Sequence, residues 1–170
     1  MAIALDATPS GDSANTYVTA TEADDYFAAH FSQAKTSVWS GLEAHQKVTL
    51  LRLACSIIET LPFHGGSVGP AVWDQALQFP TNEDYDDNAY AVPQVVKDAQ
   101  CEQAIYLLTA DEASMTAQMQ GIWEESVQAG DVKVGTVYSG GGVTASMVAP
   151  LSFQLLRPYV RKGSSKVARA

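Results

Sequence analysis

The stretch "EAHQKVTLLRLACSIIETL" (residues 43–61) decides the fold class. Val48, Leu51, Cys55 and Ile58 recur at helical spacing, with Leu50, Ala54, Ile57 and Leu61 beside them. That period predicts an α-helix whose apolar face is broad enough for a central position. Pro62 and the glycines at 65, 66 and 69 end it. Upstream, "SANTYVTATEADDYFAAHF" (13–31) turns from small polar residues into an amphipathic helix. Thr19 stands three residues before Glu22, the capping-box spacing, and Val18 is placed to staple the first turn. A first helix is predicted over about 20–31. Ser40 and Glu43 repeat the spacing, with Trp39 at the staple position, and predict the start of the central helix.

Downstream, Pro93 marks a first turn, and "QVVKDAQCEQAIYLLT" (94–109) places Val95, Val96, Ala99, Ile105, Tyr106 and Leu108 for a third helix. Residues 62–92 form a long connection that Trp73, Leu77 and Phe79 should pin to the helices, because a structureless loop of that length is unusual. Met115, Met119, Ile122 and Ser126 follow the helical period across 111–129, with Gly121 interrupting it. "VKVGTVY" (132–138) is β-branched and short, a strand, and "SGGG" after it is a hinge. "APLSFQLLRPYV" (149–160) opens with Pro150 and gives a short helix ending before Pro158. The expected fold class is mainly α: a small helical bundle with a protruding β-strand and loop arm and an extended C-terminal tail. Its parts are a flexible N-terminal arm (1–17), the bundle (18–131), a strand and Gly-rich arm (132–149), and a short helix with a basic tail (150–170).

Charge divides the chain. Residues 1–150 hold five Lys and Arg against all nineteen Asp and Glu, a balance of −14. The last twenty hold Arg157, Arg161, Lys162, Lys166 and Arg169 and no acid. An acidic body repels phosphates, which argues against a nucleic-acid groove in the main domain. The tail, in contrast, suits an acidic protein surface or DNA. No apolar run approaches the ~18 residues that span a bilayer, and the first residues lack a secretion signal, so a soluble cytoplasmic product with no membrane partner is expected. Cys55 and Cys101 lie among apolar neighbours, as buried reduced thiols do.

Catalytic chemistry is scarcely visible. "GGSVG" (65–69) has the pattern of a hydrolase nucleophile elbow, but a helix precedes it and Pro70 follows, where the elbow needs strand and helix. His30, His45 and His64 have no metal-ligand spacing. "DYDDN" (84–88) lacks the central glycine and late glutamate of a calcium loop. The glycines at 140–142 lack the Lys-Ser/Thr of a phosphate loop. The expectation is a non-enzyme with no catalytic residue, cofactor or metal.

Six motifs in order carry a resemblance: "SANTYVTATEADDYF", then "LLRLACSIIE" (50–59), "QALQFP" (75–80), "VPQVVKDAQCEQAIYLL" (92–108), "VKVG" (132–135) and "LLRPYV" (155–160). Together they resemble the head–tail connector, adaptor or head-completion proteins of tailed bacteriophages, relatives of which are also described as DnaT-like single-stranded DNA-binding proteins. The resemblance implies a structural virion protein at the neck, assembled in the host cytoplasm. It would form a ring, most often of twelve copies, beneath the portal, joined to a stopper or tail-terminator protein and letting DNA pass without specific binding. It further implies that the C-terminal segment docks on the portal through Leu155, Leu156, Arg157, Pro158, Tyr159, Arg161 and Lys162. Val132, Val134, Val137 and Tyr138 would serve as a subunit-contact arm that reaches a neighbour by strand addition or lines the lumen, the alternative being a plain intramolecular hairpin. One departure stands out: after "QFP" comes Thr81 and an acidic run where the family has a basic residue. The alternative reading, single-stranded DNA binding in replication, needs a cationic groove with exposed aromatics; the acidic body favours the connector.

Overall fold

A computed structural model describes residues 4–63, 74–81, 84–86, 89–109, 123–129, 132–138 and 148–160. The protein is mainly α, as expected. Five helices are described: α1 (Ala20–Ala28), α2 (Gln33–Ser40), α3 (Ala44–Ile58), α4 (Gln94–Thr109) and α5 (Pro150–Leu156). Two short antiparallel ribbons accompany them, β1 (Tyr85–Asp86) with β2 (Ala89–Tyr90) and β3 (Trp123–Ala129) with β4 (Val132–Tyr138).

Local chemistry sets each helix start. The Thr19 hydroxyl accepts from the Glu22 N–H at 3.2 Å, while the Glu22 carboxylate accepts from the Thr19 N–H at 2.7 Å. The staple forms too: Val18 and Ala23 are buried in the same cluster. Helix α1 stops at Ala28, three residues short of its expected end, because His30 and Phe31 turn the chain into a second helix. The second capping box sits three residues later than expected. Ser40 ends α2, Glu43 caps α3, and the Gln46 side chain accepts from the Glu43 N–H at 2.9 Å. Trp39 is buried on α2, its ring stacked on Phe27 at 4.5 Å.

Helix α4 is the axis of the molecule. It packs between α3 and α5 and contributes to two apolar clusters. One gathers Val96 and Ala99 with Cys55, Ile58, Phe79 and Leu156; the other gathers Cys101, Ala104 and Ile105 with Phe27, Trp39 and Leu51. Leu77 and Phe79 do pin the long connection, Phe79 meeting Tyr17, Phe63 and Tyr159 edge to face. The Phe79–Pro80 peptide is cis. Trp73 lies outside the described residues.

Two expectations need correction. The N-terminal arm is not loose from residue 4 onward. Asn15 donates to the Asp6 and Ala4 carbonyls at 2.9 and 3.1 Å, and Ala14, Thr16 and Tyr17 are buried. The helical period read across 111–129 gives way at its end to a strand: β3 pairs with β4 from Trp123↔Tyr138 to Ala129↔Val132. Pairing along a ribbon satisfies backbone groups that a weak period interrupted by glycine does not. The bundle drawn over 18–131 therefore contains a strand, while residues 110–122 lie outside the described residues. The short helix expected from Pro150 is present as α5 and packs into the fold. Leu156 is fully buried, and Val160 bridges to Phe63.

Candidate nucleic-acid interface

A phosphate backbone needs cations that are free to meet it. The lysines described in the helical body are already engaged. Lys47 Nζ lies 2.8 Å from Asp24, Lys97 Nζ 2.5 Å from Glu22, and Lys35 pairs with Glu102. These contacts hold the carboxyls of Glu22, Asp24 and Glu102 below their ordinary range against the opposing effect of burial. Arg157, exposed just past α5, makes no ion pair among the described residues. It begins the run that continues through Arg161, Lys162, Lys166 and Arg169.

The polar side of α4 holds the surrounding segments in place, the entry to the helix before that run among them. Glu102 is 2 % exposed and collects three donors. Tyr26 donates to its Oε1 at 2.9 Å, His30 Nε2 meets the same oxygen at 2.9 Å, and Lys35 takes Oε2. The Ser32 N–H donates to His30 Nδ1 at 3.0 Å, so the ring proton sits on Nε2 and is donated to Glu102. Burial alone would raise this carboxyl; Lys35 first, then Tyr26, bring it below the usual value. Gln100, fully buried, accepts from the Tyr17 N–H at 2.8 Å and donates to Thr16 Oγ1 and the Leu51 carbonyl at 2.7 and 2.8 Å. Gln103 accepts from the Ala149 N–H at 2.7 Å, fastening the entry to α5. Three polar side chains within four residues thus tie the N-terminal segment, the α1–α2 corner and α5 to one helix.

A second carboxylate, the half-buried Glu59, takes the Tyr17 hydroxyl and the Gln78 N–H, the latter at 3.1 Å. Burial dominates there and raises its pKa despite those donors. Burial, reinforced by Glu59, pushes the Cys55 thiol up to about 12 and, with Asp98 and Glu102 nearby, raises that of Cys101 also. Neither is a ready nucleophile, since the thiolate is the reactive form. Among the described residues no group of three His, Cys, Asp or Glu could hold a metal, and no helix is long and apolar enough to cross a membrane. "GGSVG" and the glycines at 140–142 lie outside the described residues.

The residues expected to dock on a portal separate into three groups. Leu156 is wholly inside, and Leu155 and Tyr159 are half-buried against the same cluster. Leu156 is thus spent on this chain's own core, while Leu155 and Tyr159 keep part of their apolar surface outside it. Arg157 and Pro158 are exposed, while Arg161 and Lys162 lie outside the described residues. In the arm, Val132, Val134, Val137 and Tyr138 pair in register with Ala129, Val127, Glu124 and Trp123 along the ribbon, which is the plain hairpin of the two arrangements weighed. Thr81, where a basic residue was expected, donates through N–H and hydroxyl to Asp84 at 2.7 and 2.8 Å.

Sequence reasoning missed Phe31, 86 % exposed with its ring stacked on His30 at 4.6 Å, and the roles of Gln100, Glu102 and Gln103. The signal available was "QCEQ" (100–103), a polar interruption of an otherwise apolar helix face. No curated protein and no solved structure matches this chain. A family model does, over residues 1–170. The chain belongs to the family described as "Putative DnaT-like ssDNA binding protein".

Proposed function

We propose that this protein binds single-stranded DNA through its basic C-terminal segment, Arg157, Arg161, Lys162, Lys166 and Arg169, carried at the end of α5. The observation that supports this reading is the partition of charge. The three lysines of the helical body whose side chains are described are neutralised by Glu102, Asp24 and Glu22, leaving the half-buried Arg52 as the one described cation there without an ion pair, whereas the last twenty residues hold five cations and no acid. Cations on a segment tethered to a folded anchor can track a flexible strand without a preformed groove. Family membership points to the same ligand. The connector reading that the motif order suggested draws no support from that membership. The test is fluorescence anisotropy of labelled oligo(dT) with the full chain and with a variant carrying glutamine at all five cationic positions. Binding by the first and its loss in the second is expected. No binding by the full chain, or equal binding by both, overturns the proposal.

A second reading remains because of the β3–β4 ribbon. Its two outer edges can accept a strand from another copy, the contact a ring needs. On this reading the protein is a neck adaptor of a phage virion, seated between portal and tail proteins, and light scattering or electron microscopy with the portal would find closed rings. A monomer at high concentration that ignores the portal refutes it.

A further inference from the structure

Between the end of α1 and α5 lies an open cleft of about 380 Å3. Its walls are mostly apolar: Phe31 is 86 % exposed, Leu151 is 39 % exposed, and Leu155 and Tyr26 complete them. Asp98 also lines it. Tyr26 and Asp98 also line a neighbouring cleft of about 220 Å3, which adds Asp25. Glu102 and Glu22 beside them are answered by Lys35 and Lys97, whereas Asp25 and Asp98 have no ion-pair partner among the described residues. The surface therefore asks for a short apolar side chain flanked by cations.

We propose that the occupant is the chain's own C-terminus: Val167 enters the Phe31–Leu151 cleft, and Lys166 and Arg169 face Asp98 and Asp25. The match is one of charge and of pattern, since "SKVARA" (165–170) sets Val167 and the small Ala168 between two cations. It is also one of reach. The described chain ends at Val160, five residues past Leu155, which is itself a wall of the cleft, so the two are at most ~17 Å apart. The seven residues from 160 to 167 span up to ~23 Å, enough to turn back. Tethering raises the effective concentration, so weak contacts suffice. Resting on the proposed DNA reading, this makes the cleft a regulator of the same cations: docked, they answer Asp25 and Asp98; released, they are free for phosphate.

A nitroxide attached to an Ala170→Cys variant of the full chain tests it, since Cys55 and Cys101 are buried and leave position 170 as the reactive thiol. At low ionic strength the amide signals of Phe31 and Asp98 should broaden. The Phe31→Ser/Asp98→Asn double variant should abolish the broadening at both positions and tighten oligo(dT) binding about threefold, the gain for a tail docked about two-thirds of the time. No broadening, broadening that survives the double variant, or broadening that appears when spin-labelled protein is mixed with isotope-labelled unmodified protein overturns self-docking; the last outcome would assign the cleft to a second copy. An unchanged oligo(dT) affinity in the double variant overturns the regulation. Broadening in a protein that never binds oligo(dT) refutes the DNA reading and leaves the docked tail standing.

Discussion

Replacing Leu156 by alanine distinguishes a core anchor from a docking side chain. Leu156 is fully buried in the cluster that also holds Val96, Ala99, Ile58 and Phe79. Removing three buried carbons at about 0.8 kcal/mol each forfeits about 2.4 kcal/mol. The space left between α4 and α5 closes only in part, which brings the loss to about 2.5–5 kcal/mol. For a chain of this length each kcal/mol lowers Tm by about 2–4 °C, so a loss near 3 kcal/mol lowers it by roughly 6–12 °C. Thermal and urea unfolding of the purified chain measure this, with Leu151→Ala as a control. Leu151 is 39 % exposed on the same helix, and its replacement should cost within about 0.5–1 kcal/mol. An unchanged midpoint for Leu156→Ala would refute the reasoning, because it would mean that α5 is not part of the cooperative fold. The corollary concerns truncation: removing residues 151–170 strips Leu156, Phe153 and Tyr159 from the first cluster, so the remainder should unfold more readily instead of persisting as an unaltered monomer.

The carboxylates of Glu102 and Glu59 give further tests of opposite sign. Glu102 has a lowered folded-state pKa, so its contribution is present above the unfolded carboxyl value of about 4.3 and is lost as pH falls through the folded value. The stability advantage of wild type over Glu102→Gln, followed by urea midpoints, should therefore narrow from neutral pH toward about pH 3; a constant difference contradicts the assignment. Glu59 is raised, so its folded form favours the proton and wild type loses stability as pH climbs from the unfolded value through the folded one. Glu59→Gln should gain on wild type as pH rises above the unfolded carboxyl value of about 4.3, and a relative loss would show that Tyr17 and Gln78 outweigh burial. For the thiols, Cys55 and Cys101 should resist a disulfide reagent at neutral pH in the folded protein and both react in denaturant; rapid native labelling would refute their burial.

Much of the fold was legible because its signals are local. The Thr19–Glu22 box, the apolar face from Leu51 to Ile58 and the proline before α4 each act within a turn or two of helix, and each led to a helix in place. The misreadings came where long-range contacts decide. Tyr17 is held in the core by distant partners, Gln100, 83 residues away, taking its N–H, with Glu59 and Phe79 on its hydroxyl and ring, so the segment before it looked loose. β3 is a strand because β4 pairs with it, and no period inside 123–129 announces that. The candidate site was legible as charge but not as geometry. The basic tail stands out in the composition, whereas Leu156 and Tyr159 look as suited to a partner's groove as to this chain's own. Only the packing of α5 on α4 separates the two. Phe31 was read as one more apolar position of α1, and it became a surface residue because the helix ends before it.

Salt dependence of oligo(dT) binding is the most direct measurement of the central claim. Five cations meeting phosphates on a single strand should give a slope near −3.5 in log K against log salt, at about 0.7 per neutralised phosphate. The same titration with the five positions changed to glutamine should leave nothing to measure. A slope near zero, or a steep slope that survives the glutamine variant, would contradict the account.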